Sequence, residues 1–407
     1  RNRPHCKYGD PVAEYNTSGR YAMNRRDFSL GVTAGAIVGS GAIYVGTRDR
    51  KRSIETGTPD KPGQAPATFG ESFEWKMVTT WPKNFPGLGT GSQRIADAIR
   101  EMSDGKLDIK VYGAGELVPA YEAFDAVREG IAECMHEAPY IWIAKHPAMA
   151  FFCGMPGGLT PQEHNAWIHF GGGQELWDEL YGRFGLRGFL AGNSGTNMGG
   201  WYNQEIQTLE DFRGLRMRIP GLGAEVLTRL GSLTMNIPGG EILPALQTGL
   251  VDAAEWIAPY ADLALGLHKA AKYYYGPSIL EPGPANPLTV NEESYMALSS
   301  ELRAIVRQAA GHETARMKAE VDHGNARALE VLVKRFNVAL RRFPEDVSDG
   351  LFSVSEQVVA EVSEEDDLSR RIYNSWSEFR EKASILAPYS THGFMAGRNR
   401  YKNSVEG

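Results

Sequence analysis

The chain has 407 residues, 42% hydrophobic and 23% charged, with a net charge of −7 spread along its length. Such composition gives two or three globular domains with their own cores. No basic run with interleaved aromatics offers a nucleic-acid surface. Of the three cysteines, Cys6, Cys134 and Cys153, none has metal-ligand spacing. Cys134 and Cys153 lie in apolar stretches that suit buried thiols or a disulfide.

Residues 1–22 read as an upstream or disordered segment. From Met23, Asn24-Arg25-Arg26-Asp27-Phe28-Ser29-Leu30 leads into an apolar, small-residue run over 30–45. Over 23–46 this reads as a twin-arginine export signal, which predicts a periplasmic protein. The run is short and Gly/Ala-rich for a bilayer span. No clear Ala-x-Ala site follows, so an uncleaved membrane anchor or a buried apolar helix stays open. Residues 47–72, rich in Pro, Gly, Ser and Thr, form a linker.

The folded body begins at Phe73. Alternation predicts a strand over 73–79, and helical spacing of Ile95, Ala98, Ile99 and Met102 predicts a helix over 91–103. Then follow a strand over 107–112, a helix over 120–129, a strand over 131–143 and a helix over 161–184, in which Gly171-Gly172-Gly173 reads as a packing feature or kink. Strands over 186–191, 215–219, 233–237 and 251–256 alternate with helices over 222–230 and 241–248. This rhythm argues an open α/β sheet architecture in two lobes. Segments 295–336 and 347–387, interrupted at Phe343-Pro344, are long helical patterns expected to strap across the lobes. The implied division is 73–196 for lobe 1, 197–287 for lobe 2, 288–393 for a return to lobe 1 with the long helices, and 394–407 for a tail.

Enzyme signatures are missing from the chain. There is no His-Glu-x-x-His, no Gly-x-Ser-x-Gly elbow, no phosphate-cradling loop and no Gly-x-Gly-x-x-Gly after a strand. These absences weaken an exported redox or hydrolytic enzyme as the alternative reading.

Three segments carry chemistry. In 211–221, Leu215, Met217 and Ile219 point one way in an extended chain while Arg216 and Arg218 point the other. Pro220 ends the strand, so Arg218 stands at its C-terminal end, where open α/β sheets put their ligand crevice. A guanidinium there suits a carboxylate; the plain alternative is a surface ion pair. Glu255 sits in an apolar strand between Ala254 and Trp256, either buried with a cation or pointing to solvent. Residues 192–201 form a polar loop, carrying Asn197, that enters a strand at Trp201.

Together these segments resemble the periplasmic solute-binding proteins of tripartite ATP-independent periplasmic (TRAP) transporters, in the subgroup for 2-oxo acids and other small carboxylates. The resemblance runs from about Trp75 to Gly393. It rests on Phe-Arg-Gly-Leu-Arg-Met-Arg-Ile-Pro-Gly (212–221), Ala-Leu-Gln-x-Gly-x-Val-Asp-Ala-Ala-Glu-Trp (245–256) and Asn-Met-Gly-Gly-Trp (197–201). It implies a two-lobed, type II-like periplasmic binding protein with open mixed sheets. By resemblance, Arg218 holds the substrate carboxylate, and Glu255 with the Trp256 carbonyl binds a bridging Na⁺ or Ca²⁺. Asn197 stands where the subgroup often carries Gln, one methylene longer. Tyr140 and Trp142 wall the pocket, and Trp201 helps exclude water. Ala258-Pro259-Tyr260-Ala261 replaces a frequent Gly-Pro-Tyr-Asp. The resemblance also implies two integral membrane subunits as partners, no organic cofactor and no nucleic acid. A homodimer stays open, as does service to a sensor or an ATP-driven transporter.

Overall fold

A computed structural model describes residues 71–406. The segment read as an export signal, most of the stretch read as a linker, and Cys6 lie outside the described residues.

Two sheets organise the body. The first contains β1 (Phe73–Thr79), β2 (Leu107–Tyr112), β3 (Cys134–His136) and β4 (Leu186–Asn193). The second contains β5 (Gly200–Tyr202), β6 (Arg216–Arg218), β7 (Leu233–Met235), β8 (Ala253–Ala254) and β9 (Tyr273–Tyr275). The chain then returns to the first sheet as β10 (Ala285–Asn291) and adds β11 (Ala339–Arg341) to the second. The strand orders are β2-β1-β3-β10-β4 and β11-β9-β5-β8-β6-β7. Both sheets are mixed: β1 runs parallel to β2 and β3, and β10 is antiparallel to β3 and β4. In the second sheet β6 is parallel to β7 and β8, whereas β5 is antiparallel to β8 and β9.

Alternation explains β2, where Leu107, Ile109 and Val111 are buried and the residues between them exposed. The segment over 131–143 departs from its strand reading. Only Cys134–His136 pairs, because Pro139 then opens a single 3₁₀ turn, Pro139–Trp142. The 161–184 helix is two helices, Pro161–Phe170 and Gly173–Gly182. Gly172 between them adopts φ 84°, a left-handed conformation that glycine tolerates without strain. Thr160 starts the first of these helices by accepting from the Glu163 N–H, and the Glu163 carboxylate returns the bond to the Thr160 N–H. Phe152 is sandwiched between Trp167 and Trp177, with ring centroids 5.7 and 5.2 Å apart. Cys134 and Cys153 are buried free thiols.

The long helical patterns also divide. Ser300–Lys334 is preceded by Glu292–Ala297, and Glu345–Val362 is separated from Asp367–Leu386. Ser300–Lys334 packs on β4 and the helix Leu88–Met102 of the first lobe, and on the helix Pro259–Leu265 of the second. Glu345–Val362 lies on the helix Gly221–Arg229 of the second lobe, while Asp367–Leu386 lies on Gly173–Gly182 of the first. The long helices thus strap across both lobes. Residues 391–406, read from 394 onward as a tail, form a further helix, Thr391–Glu406.

Two crossings join the lobes between β4 and β5 and between β9 and β10. They run side by side. The Ser194 N–H donates to Pro284 O at 3.1 Å, and the Ser278 N–H donates to Asn197 O at 3.0 Å.

Candidate functional site

The parallel strands of both sheets end at one cleft. Past β1 come Thr80 and Trp81, and past β3 come Ala138 and Tyr140. Arg218 closes β6, and Trp256 follows β8. All of these line a cavity with about 450 Å³ of empty space between its walls, open solvent included. Leu88, Tyr121, Ile141, Pro238 and Ile257 complete much of the wall. Open α/β sheets gather ligand-binding groups at the carboxyl ends of their strands, and here two sheets do so face to face.

Arg218 is buried, with Met217 and Ile219 on the opposite strand face in the core. Its companion Arg216 is partly exposed and paired with Asp252. The Arg218 guanidinium is held in a fixed plane. Its Nε donates to Ile237 O at 2.9 Å, and Nη1 donates to Glu255 O at 2.7 Å. The Trp256 ring lies 5.1 Å from the guanidinium carbon. Gly239 permits that packing: a methyl group there would come within 2.4 Å of the Trp256 ring.

Glu255 is 1% exposed, so the solvent-facing reading of this residue is excluded. Its backbone N–H donates to Arg218 O at 2.9 Å. Oε1 accepts from Asn197 Nδ2 at 3.3 Å, and Asn197 Oδ1 accepts from Ser194 Oγ at 3.1 Å. Oε2 is 3.6 Å from Arg218 Nη1 and has no hydrogen-bond partner among the described residues. Burial and the nearby Glu281 carboxylate push the Glu255 carboxyl well above the usual range, although Arg218 pulls it down. Burial prevails because the guanidinium spends its short bonds on carbonyls, leaving the carboxylate at a weaker distance.

Tyr140 lines the cavity, its hydroxyl pKa raised by burial and by Glu281. Trp142, Trp201, Asn197 and Glu255 are not among the cavity's lining residues, and Glu255 borders a second, smaller cavity with Gly199, Tyr202, Ile219 and Ser278. The Trp142 indole packs against Phe124 and donates to buried Glu137 Oε2 at 2.7 Å, because the 3₁₀ turn aims it into the first lobe. Trp201 stacks on Tyr274 at 4.0 Å and donates to Asp262 Oδ2 at 2.8 Å, inside the second lobe. Each side chain fixes the backbone beside the cleft.

The sequence reading missed four residues. Tyr121 spans the cleft mouth, its hydroxyl donating to Asn236 Oδ1 at 2.8 Å and lying in the field of Arg218. Thr80 Oγ1 and Asn286 Oδ1 are buried on the first-lobe wall without a hydrogen-bond partner among the described residues. Glu281, on the second crossing, is buried with both oxygens unpartnered, its pKa pushed up to about 8 by burial. No local pattern marks these positions, which acquire meaning only when the lobes meet.

Among the described residues no three His, Cys, Asp or Glu side chains gather into a cation site. The available donors are instead a mixed oxygen set of carboxylate, carboxamide and carbonyl, and the unpartnered Glu255 Oε2 fits a hard cation such as Na⁺ or Ca²⁺.

The family model for bacterial extracellular solute-binding proteins, family 7 (DctP), matches residues 77–366. The chain belongs to this family. It is 35% identical over 350 residues to a monocarboxylate 2-oxoacid-binding periplasmic protein of Nostoc sp., an alignment covering 86% of this chain and 92% of that one. A TRAP transporter solute-binding protein of Bordetella bronchiseptica, a mixed-occupancy dimer with calcium and picolinate bound at one site, superimposes with TM-score 0.79 at 36% identity, over 83% of this chain and 99% of its own. A TRAP periplasmic solute-binding protein of Pseudoalteromonas atlantica with bound sodium and pyruvate gives 0.78 at 35% identity, over 80% and 99%. A third, from Colwellia psychrerythraea with calcium and pyruvate, gives 0.78 at 34% identity, over 80% and 100%. The two-lobed architecture is therefore that of TRAP solute-binding proteins, a family of transport components acting outside the cytoplasmic membrane. No helix of the described residues is long and apolar enough to cross a membrane.

Proposed function

We propose that this protein captures a small monocarboxylate, a 2-oxo or 2-hydroxy acid such as pyruvate, and delivers it in the periplasm to two integral membrane subunits. The observation that carries this reading is Arg218, buried at the carboxyl end of β6 with its guanidinium plane fixed by two carbonyls and its edge on the cavity. The ligand carboxylate pairs with that edge. Glu255, the Asn197 carboxamide and the Trp256 carbonyl are the groups that would hold Na⁺ or Ca²⁺, the carboxamide turning over from its bonds to Ser194 and Glu255 to present its oxygen, and the cation would supply positive charge to the ligand. Tyr140, Trp256 and Ile257 keep water out, so that the charged contacts strengthen as the lobes close. Trp142 and Trp201 serve behind them as supports. The paired crossings at 194–199 and 276–284 are the hinge in this reading, between lobes spanning 73–196 and 197–287, with 288–393 returning to the first.

The bound relatives named above support this ligand class. We assign the protein no catalytic activity; an exported redox or hydrolytic enzyme would reveal itself by a visible absorption spectrum or substrate turnover. The twin-arginine route is read from residues 23–46. A second copy of the chain is the occupant assigned to the exposed apolar side chains near the C-terminus, in line with the dimeric Bordetella relative.

The test is a calorimetric titration of pyruvate and lactate into wild type and Arg218→Ala with either cation present. Removing the guanidinium strands a buried carboxylate and weakens binding by roughly 2–5 kcal/mol. Equal affinities for the two proteins would sink this function for Arg218.

A further inference from the structure

The first-lobe wall of the cleft carries two buried polar groups without partners. Thr80 is 5% exposed and Asn286 3%, and neither Thr80 Oγ1 nor Asn286 Oδ1 has a hydrogen-bond partner among the described residues. Leaving such a group unpaired is costly, and each calls for a partner.

The sheet brings the two together. β1, β3 and β10 are neighbours in that order, with Thr79 beside His136 and His136 beside Leu288. Thr80 therefore stands just past the end of β1, and Asn286 stands near the start of antiparallel β10, both at the sheet edge that faces the cleft. Two steps along β10, from Ala285 to Pro287, face three along β4, from Asn193 to Leu190. A bulge of this kind breaks the regular alternation where Asn286 stands. His136 Nε2 donates to Asn286 O at 3.2 Å and anchors the backbone there. Both residues line the cavity whose other wall holds Arg218.

The chemistry of the wall narrows what can bind it. Arg218 is the one charged side chain among the residues lining this cavity. A second carboxylate reaching the first-lobe wall would be buried without a cation, and an ammonium without an acid. The group that fits is neutral. A keto oxygen accepts hydrogen bonds and donates none, so it leaves Asn286 Oδ1 unpaired. A hydroxyl does both: it can donate to Asn286 Oδ1 and accept from Thr80 Oγ1. A methyl group satisfies neither.

We propose that Thr80 and Asn286 form a hydroxyl subsite, so that the favoured ligand is a short monocarboxylate with a hydroxyl group on carbon 3. This rests on the carboxylate-binding reading above and narrows its ligand class. The carboxylate stays with Arg218 on the second lobe and the hydroxyl meets the first, so the ligand ties the two lobes together.

The probes are 3-hydroxypyruvate and 2-oxobutanoate, monocarboxylates of nearly equal size that differ by a hydroxyl in place of a methyl group. Each is titrated by calorimetry, in one buffer containing sodium and calcium, into the full chain as wild type, Thr80→Val and Asn286→Leu. Thermal melts verify the folding of both variants. Wild type is expected to bind 3-hydroxypyruvate about tenfold or more tightly than 2-oxobutanoate, because the methyl group leaves both buried atoms unpaired. In either variant the hydroxyl loses one partner, and the ratio of the two affinities is expected to fall toward one. A merely structural role would move both affinities together and leave their ratio unchanged. Equal affinities in wild type, or tighter binding of 2-oxobutanoate, need no variant to overturn the inference and leave the carboxylate-binding reading intact. A ratio unchanged in both folded variants does the same. Absence of binding by both acids and by pyruvate overturns both.

Discussion

Buried acids act in this protein through what surrounds each of them. Glu137 is fully buried, with Trp142 Nε1 at 2.7 Å, Thr289 Oγ1 at 3.0 Å and the Tyr181 hydroxyl at 3.4 Å as donors. No cation partners it among the described residues, and burial raises its pKa to about 8. Since that lies above its solution value, the fold favours the protonated form. The stabilisation is complete below about pH 4.5 and is lost as pH rises through 8. His136 and His164 act with the opposite sign, because burial lowers both to about 4. Their neutral forms stabilise the fold above about pH 6.5, and that contribution is lost as pH falls toward 4. Above neutrality only the acids remain in play. Wild type is therefore expected to lose about 1 kcal/mol per buried acid of this kind between about pH 7 and 8.5. Glu137→Gln should flatten part of that slope in denaturant melts at the two pH values, Glu281 keeping the rest. A slope identical to wild type would show Glu137 to be ionised in the fold.

The short 3₁₀ helix Gly239–Glu241 shapes the site, with Gly239 itself lining the cavity. It brings the Gly239 backbone against the ring of Trp256, which also packs with the Arg218 guanidinium and Phe85. Gly239→Ala must displace the indole, since the three atoms nearest to a methyl group there all belong to its ring. The expected cost is about 1–3 kcal/mol of stability and about tenfold weaker pyruvate binding, a further 1.4 kcal/mol. Gly240→Ala is the control, because a methyl group there meets nothing within 4 Å. Equal effects of the two substitutions on binding would remove Gly239 from the construction of the cleft. The strap is an element of another kind. Arg94 on the helix Leu88–Met102 forks onto buried Glu313 of Ser300–Lys334, at 3.0 and 3.1 Å from Nε, and reaches Glu320 at 2.8 Å. The same long helix takes the Tyr260 N–H on Asn325 Oδ1 at 2.9 Å, so one rigid rod contacts both lobes.

At the scale of the whole molecule, the C-terminal helices leave apolar surface uncovered. Ile385, Leu386, Tyr389, Phe394 and Met395 are exposed. Contiguous exposed apolar patches mark association surfaces. A chain ending at Ala387 is expected to sediment as a monomer while the full chain sediments as a dimer, with pyruvate affinity unaltered. A monomeric full chain at micromolar concentration would leave that face without the occupant assigned to it.

Periodicity in the sequence determined the alternation of strands and helices, since side-chain spacing of two or 3.6 residues is a local property of the backbone. It also determined Arg218 and Glu255 as candidates, because Pro220 ends one strand and an acid interrupts an apolar run in the other. The resemblance then supplied their expected roles, a substrate carboxylate for Arg218 and a cation for Glu255. Element ends were less legible. The strand read over 131–143 stops at His136, and Trp142 faces a core where a pocket wall was expected, because a proline-led turn reverses its direction. Only the tertiary structure decided that Trp201 belongs to the interior of the second lobe. It alone brought Tyr121, Thr80, Asn286 and Glu281 to the cleft. The reason is physical: a cavity between lobes is made by residues far apart in the chain, and burial, the quantity that raises the pKa of an ordinary glutamate, exists only after the chain has folded.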